Sequence, residues 1–123
     1  MKATILIFNS SYPLVQCGVG DFTARLAVSI GKYTPNNVIV ATSKTELIKP
    51  VKRSKLEVLP IIKSWTVRDF LKVSLSLVKY HPQQVILEYP AVMPTGGFNL
   101  TYWLPVLSKI FFGFAKVTIL IHE

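Results

Sequence analysis

The most specific chemical feature of the sequence is a segment with two glycines that follows the first apolar run. Gly18 and Gly20 stand in the segment Pro13–Ala27, directly before an amphipathic stretch. Glycine lets the backbone approach a ligand closely, and the free N–H groups at a helix start can bind a phosphate. The pattern therefore predicts a phosphate site. The alternative, that both glycines only permit a tight turn, is the ordinary role of glycine and stays open.

Two nucleotide-binding motifs do not fit this segment. A P-loop needs a lysine and a hydroxyl residue after its last glycine, for the phosphates and magnesium. Here Gly20 is followed by Asp21 and Phe22. The dinucleotide motif GxGxxG needs a third glycine where this sequence has Thr23. Both motifs are excluded.

Other polar residues stand where predicted strands end. Glu88 and Tyr89 close one strand, so they are candidates to line a cleft, although a capping or turn role is equally open. His122 follows the last strand, where a histidine is either a ligand or a polar residue with its hydrogen bonds satisfied. Cys17 is a candidate reactive thiol at a helix start, but the sequence supplies no nearby base.

Composition limits the class of protein. The chain has 123 residues, which allows one domain and hardly more. Half of the residues are hydrophobic, which excludes a disordered chain. A single cysteine excludes a disulfide framework and a Cys-rich zinc module, and it fits a reducing compartment. The formal net charge of +8 predicts an anionic partner: a phosphate-bearing ligand, an acidic lipid surface or nucleic acid.

Strand and helix patterns alternate along the whole chain. Short apolar runs predict five strands, at residues 3–8, 38–41, 56–62, 85–87 and 117–121. Helical patterns lie between them, and Thr66 with Asp69 predicts a capping box at the start of the second helix. The segment Ser43–Lys55 is predicted to be the least regular. This alternation predicts an α/β fold: a mostly parallel five-stranded sheet with helices on both faces.

Helical periodicity predicts which side chains are buried. In the first helix, beginning at Asp21, they are Phe22, Leu26, Ala27 and Ile30. In the second helix they are Val67, Phe70, Leu71, Leu75 and Val78. The third helix, Leu100–Phe112, is apolar nearly all round, so we expect it to be covered on most sides.

Two segments bear on membrane contact. Leu100–Ile121 is long and apolar, but Lys109 and Lys116 would each cost about 2.5–3.5 kcal/mol at mid-bilayer. We therefore expect a buried helix and a buried strand there, not a membrane span. The basic segment Lys44–Lys55 is either a solvated loop or a docking surface for anionic lipid. No aromatic residues interleave its lysines, so nucleic-acid binding is not expected.

Several segments resemble the start of glycosyltransferases of the GT-B fold, more narrowly the retaining glycosyltransferase family 4 type. They are the strand ILIFNSSYP, the loop QCGVGDFTARLA, the strand VIVATS, the later LEYP and the terminal strand TILIHE. The glycine loop and the strand that ends in His-Glu are the most specific of them. The resemblance covers the whole chain but only the front part of the family's two-domain architecture.

The resemblance implies roles for individual residues. It places Gly18, Val19 and Gly20 at the interdomain cleft, against the donor phosphate or the acceptor. It places His122 near the transferred sugar as the candidate catalytic residue, with Glu123 as a weaker substrate-binding candidate. Where the family often has glycine, this chain has Cys17.

The resemblance also implies a Rossmann-like domain that is the N-terminal portion of a larger enzyme. That enzyme would transfer a sugar from a nucleotide-sugar donor to a sugar or lipid-linked acceptor, without metal or cofactor. We expect it in the cytoplasm or at the inner face of the membrane. The donor-binding domain is absent, so we expect this chain to be catalytically incomplete without that domain or a partner chain. The alternative is a non-catalytic α/β module that binds a phosphate-bearing ligand or a partner protein.

Overall fold

Five strands of the described chain form a parallel sheet, and a sixth extends its edge. A computed structural model describes residues 3–9, 18–64, 66–89, 105–113 and 115–121, without the side chains of residues 18, 19, 89 and 121. The strands are β1 (Thr4–Phe8), β2 (Asn37–Ser43), β3 (Val51–Lys52), β4 (Leu56–Ile62), β5 (Gln84–Tyr89) and β6 (Lys116–Ile121). Their order is β3-β4-β2-β1-β5-β6.

The expected number of five strands is wrong for the described residues, because β3 adds a sixth. It pairs antiparallel with β4, through Val51 opposite Val58 and Lys52 opposite Glu57, whereas the other neighbouring pairs are parallel. The strand lies inside the segment that was predicted to be least regular. Two residues are too short to show a period-two pattern, so only the pairing with β4 reveals this strand.

The sheet is covered on both faces by helices, as predicted. One face packs against α1 (Gly18–Tyr33), and the other packs against α2 (Val67–Leu77) and α3 (residues 105–111). The buried residues on the α1 face are Ile5, Ile7, Ala27, Val38, Val40, Ile48, Val58 and Ile86. Both faces of β1 and β2 are buried, which explains why these strands are apolar without alternation.

The first helix departs from the prediction in its start and in its buried side. It begins at Gly18, so Gly18–Gly20 form its first turn and do not belong to the loop that was expected to precede the helix. Phe22, predicted to be buried, is 43% exposed, whereas Thr23 is fully buried. The apolar pattern assigns burial to Phe22 and not to the next residue, because the edge of the sheet beneath Thr23 is polar, as described below.

The second helix confirms the predicted cap but not every buried residue. The Thr66 hydroxyl accepts a hydrogen bond from the Asp69 backbone N–H at 3.3 Å. Leu75 is 66% exposed, so its predicted burial is wrong. The inward face of the helix is instead formed by Phe70, Val73, Ser74 and Leu77. Val78 already belongs to a 3-10 turn, Val78–Tyr80, and is only partly buried.

The long apolar segment forms a helix and a strand, as predicted. Within the described residues it contributes α3 and β6. The expected cover of α3 is not found there, since Val106 and Ile110 are exposed, Ile110 by 69%. The strand is not buried as expected, because Ile119 is 41% exposed and its described neighbours in β6 are at most partly buried. Across the part of the chain that the structure describes, no helix has the length and apolar character needed to cross a membrane.

Candidate functional site

The strand order reverses between two central strands. From β1 the chain moves through α1 to β2 on one side, and it later returns through α2 to β5 on the other side of β1. In open parallel sheets, ligands bind beyond the carboxyl ends of the strands at such a reversal. The ends of β1 and β5 therefore form the candidate ligand-binding edge of the sheet.

Three buried polar residues lie in one row across this edge. Phe8 pairs with Ala41 of β2 and with Leu87 of β5. One residue further along each strand stand Asn9, Thr42 and Glu88, which we call the polar row. Side chains alternate between faces, so the row continues the face that carries Ile7 and α1.

A fourth polar residue, Thr23 of α1, joins two members of the row. The Asn9 side-chain amide donates to the Thr23 hydroxyl at 2.5 Å, and that hydroxyl donates to the Glu88 carboxylate. Asn9 and Thr23 are fully buried, and Glu88 is 3% exposed. Hydrogen bonds in such buried surroundings are strengthened by the low local dielectric. Their effect is to fix the beginning of α1 against the ends of β1 and β5.

The first turn of α1 brings its backbone N–H groups to this edge. Gly18 lies five residues before Thr23, or about 7.5 Å along the helix axis. The first N–H groups of a helix have no partner within the helix, and the helix dipole makes that end partly positive. This combination suits a phosphate oxygen.

The turn also has features that weaken it as an anion site. Gly20 is buried, which limits its access to a ligand. Asp21 stands in the first turn and is exposed, and Glu88 adds a second acidic group at this edge. A ligand phosphate would therefore depend on directed backbone N–H groups more than on a net positive charge.

The structure locates some of the predicted site residues. Gly18, Val19 and Gly20 lie in the first turn of α1. Glu88 lies at the same edge but is buried and bonded to Thr23, so it holds this edge together and does not line an open cleft. Tyr89 ends β5, where it pairs with Ile121 at the end of β6.

The remaining candidates lie outside the description. His122, Glu123 and Cys17 are not among the described residues, and neither is the side chain of Tyr89. Their predicted roles stay predictions.

No protein-family model, curated protein or solved structure matches the chain.

Sequence reasoning missed Asn9, Thr23 and Thr42 as members of the site. One signal was present: Asn9 and Thr42 are polar residues at the ends of otherwise apolar strands. Thr42 differs from its neighbours because its buried hydroxyl has no hydrogen-bond partner among the residues that the structure describes. The polar row therefore contains one group whose hydrogen-bonding capacity is unused. Leaving a buried hydroxyl unsatisfied costs about 1–3 kcal/mol of stability.

Two of the cavities formed by the described residues matter for the position of the site, although neither is lined by the polar row. One of about 420 Å³, lined mainly by apolar residues such as Pro82, Phe111 and Phe112, precedes β5 and β6 and so lies at the amino-terminal edge. It is separated from the row by the length of a strand. A second, open recess of about 450 Å³ is lined by Lys44, Thr45, Glu46 and Lys63, beyond the ends of β2 and β4. Of the two, only this recess shares the carboxyl edge with the polar row.

Proposed function

We propose that the chain is the acceptor-side, N-terminal part of a retaining glycosyltransferase of the GT-B fold. The observation that carries the proposal is the attachment of α1 at the strand-order reversal, through the contacts of Thr23 with Asn9 and Glu88. This attachment holds the glycine turn at the edge where such sheets bind their ligands.

The strand order supports a Rossmann-like assignment. If the parallel strands alone are numbered along the chain, their order across the sheet is 3-2-1-4-5, which is the order of dinucleotide-binding sheets over five strands. The same architecture carries many functions, so the order supports the fold and leaves the activity to the site. The motifs that resemble the glycosyltransferase family supply the choice of activity.

In the proposed reaction, the bond between the sugar and the donor phosphate breaks while the acceptor's hydroxyl oxygen bonds to the sugar. Negative charge then grows on the departing phosphate, which finally takes the proton of that hydroxyl. Backbone N–H groups of Gly18 and Val19, held in place before the reaction, stabilise that charge more than the charge of the bound donor. This difference is what lowers the barrier.

The other proposed site residues line the cleft. His122 is the candidate catalytic residue near the transferred sugar, Glu123 is a substrate contact, and Tyr89 lines the cleft. Most contacts with the nucleotide belong to a second domain or a partner chain, which would close the cleft from the other side.

Ligand-observed NMR tests this proposal on the 123-residue chain. The ligands are a panel of nucleoside-diphosphate sugars, the corresponding nucleoside diphosphates and inorganic pyrophosphate. We expect at least one nucleotide sugar to bind more tightly than pyrophosphate, and His122→Ala to remove that advantage while leaving pyrophosphate binding unchanged.

Two results would count against a transferase. Equal affinity for pyrophosphate and every nucleotide sugar would favour the non-catalytic phosphate-binding module. Absence of binding by any phosphate compound would reject the site itself.

A further inference from the structure

Lys55, the last residue of the basic segment Lys44–Lys55, bonds to the first helix and so is separated from the other lysines of the segment. The Lys55 ammonium donates hydrogen bonds to the carbonyl oxygens of Gly31 at 2.9 Å and Thr34 at 2.8 Å. Lys55 therefore binds the carboxyl end of α1, where a cation is stabilised by the helix dipole. Lys52 lies opposite Glu57 in the β3–β4 pair, so its charge has an acidic neighbour.

One lysine from outside the segment joins it. The Lys44 backbone N–H donates to the Ile62 carbonyl at 2.9 Å, which brings the residues after β2 and β4 together. Lys44 and Lys63 consequently line the same open recess. Lys49 is also exposed and lies five positions after Lys44 in the same loop, whose residues 44–50 include one exposed carboxylate, that of Glu46.

The loop of residues 44–50 also presents an apolar side chain next to these lysines. Leu47 is 57% exposed, whereas the following residue, Ile48, is buried in the core beneath α1. The Ile48 backbone N–H donates to the Thr45 hydroxyl at 3.2 Å, which closes a turn around Leu47. The loop is therefore anchored from within, and its leucine stays outside. We call Lys44, Leu47, Lys49 and Lys63 the basic loop surface.

We propose that the basic loop surface docks onto an anionic lipid bilayer, with the lysines at the headgroup phosphates and Leu47 in the acyl boundary. Cationic side chains around an exposed apolar one complement that boundary, where negative charge overlies hydrocarbon. A nucleic acid fits less well, because residues 44–55 include no aromatic side chain on which a base could stack.

The position of this surface gives the docking a consequence. It lies beyond the ends of β2 and β4, at the same carboxyl edge as the polar row. A docked chain would therefore turn that edge towards the bilayer. The surface itself does not depend on a sugar-transfer activity, so binding to lipid and transfer can fail separately.

Co-sedimentation of the 123-residue chain with vesicles tests the proposal. One set of vesicles is phosphatidylcholine alone, and the other is phosphatidylcholine mixed with phosphatidylserine. We expect binding to the mixed vesicles only. We also expect binding to weaken as salt shortens the screening length from about 10 Å at 0.1 M to about 3 Å at 1 M.

A matched pair of double variants separates a local surface from overall charge. Lys44→Gln with Lys63→Gln should lower binding to the mixed vesicles about tenfold or more. Lys79→Gln with Lys116→Gln removes the same charge from exposed positions at the opposite edge and should have little effect. Leu47→Ser should lower binding several-fold at unchanged charge. Circular dichroism of each variant checks that the fold is kept.

Three outcomes would overturn the proposal. The first is equal loss of binding in the two double variants, and the second is full binding by Leu47→Ser. The third is binding of a single-stranded oligonucleotide that exceeds vesicle binding and depends on the same two lysines, which would make nucleic acid the partner.

Discussion

The hydroxyl of Thr23 donates a hydrogen bond to the carboxylate of Glu88, a residue 65 positions later in the chain. The same hydroxyl accepts from Asn9, which directly follows the first strand. One side chain on the first helix thus connects the ends of the two strands between which the sheet reverses its order. Because all three residues are buried, the start of α1 is held at that edge by directional bonds as well as by apolar packing.

Thr23→Val tests how much this connection stabilises the fold. Valine keeps the shape of the side chain but leaves Asn9 and Glu88 without the bond that each makes to Thr23, so we expect a loss of about 2 kcal/mol in the free energy of unfolding. Thr23→Ser, which keeps the hydroxyl and loses a methyl group, should lose about 1 kcal/mol. Urea denaturation measures both. A valine variant as stable as the serine variant would contradict a structural role for the hydroxyl.

Lys55→Met tests the role assigned to this lysine at the end of α1. Methionine keeps much of the apolar stem and removes the ammonium that bonds to Gly31 and Thr34, so the free energy of unfolding should fall by about 1 kcal/mol. The control is Lys52→Met, an exposed lysine on the edge strand, where the change should stay within about 0.5 kcal/mol. Equal effects in the two variants would show that Lys55 does not cap the helix.

The stability of the folded chain depends on pH through the ionisation of Tyr80. Burial, and then the hydrogen bond to Glu57 and its negative charge, raise the pKa of Tyr80 above its ordinary value of 10.0. The protonated phenol is therefore favoured in the folded chain. Its contribution to stability is complete below about pH 10 and is lost as the pH rises through the raised pKa.

Glu57→Gln should lower the pKa of Tyr80 only part of the way back to its ordinary value. Burial, the largest cause, remains in that variant, while the negative charge is removed. The tyrosinate absorbance of each protein gives the pKa after subtraction of the corresponding curve with Tyr80→Phe. An unchanged pKa in Glu57→Gln would show that the carboxylate has no influence on Tyr80.

His81 has a left-handed backbone, with φ at 48° and ψ at 55°, where it ends the 3-10 turn before Pro82. This conformation costs a residue with a Cβ atom roughly 1–2 kcal/mol, and glycine adopts it freely. After the greater flexibility of unfolded glycine is subtracted, His81→Gly should stabilise the fold by about 0.5–1 kcal/mol. His81→Ala keeps the Cβ atom and should give no such gain. Thermal unfolding of both variants makes the comparison, and a loss of stability in the glycine variant would contradict it.

Five of the six described strands were predictable because each contains an apolar run that pairs within the sheet, whereas β3 has only two residues and shows no such run. The runs 38–41 and 85–87 fall within β2 and β5. Both strands are longer than these runs, because pairing continues through polar ends such as Ser43 and Glu88, which the apolar pattern does not show. The cap at Thr66 was predictable because its partner, Asp69, is only three residues away. Local patterns therefore located most elements.

The site was harder to predict because its contacts are distant in sequence. Thr23 bonds to residues 14 and 65 positions away, and a polar residue on the buried side of a helix interrupts the apolar period used to locate that side. For the same reason Phe22 was wrongly expected to be buried. The sequence does not distinguish Lys55 from the other lysines of the basic segment. The Thr34 carbonyl to which it donates is 21 positions away along the chain, and only the fold brings the two together.

A titration of the isotope-labelled chain with inorganic pyrophosphate, followed at the backbone amides, tests most directly whether the start of α1 binds phosphate. The amides of Gly18 and Val19 should shift together and reach saturation, and in Thr23→Val the shifts should weaken because the helix start is less firmly held. If these amides do not respond while those of Lys44 and Lys63 do, phosphate binds in the basic recess. The assignment of the α1 start as the functional site would then be wrong.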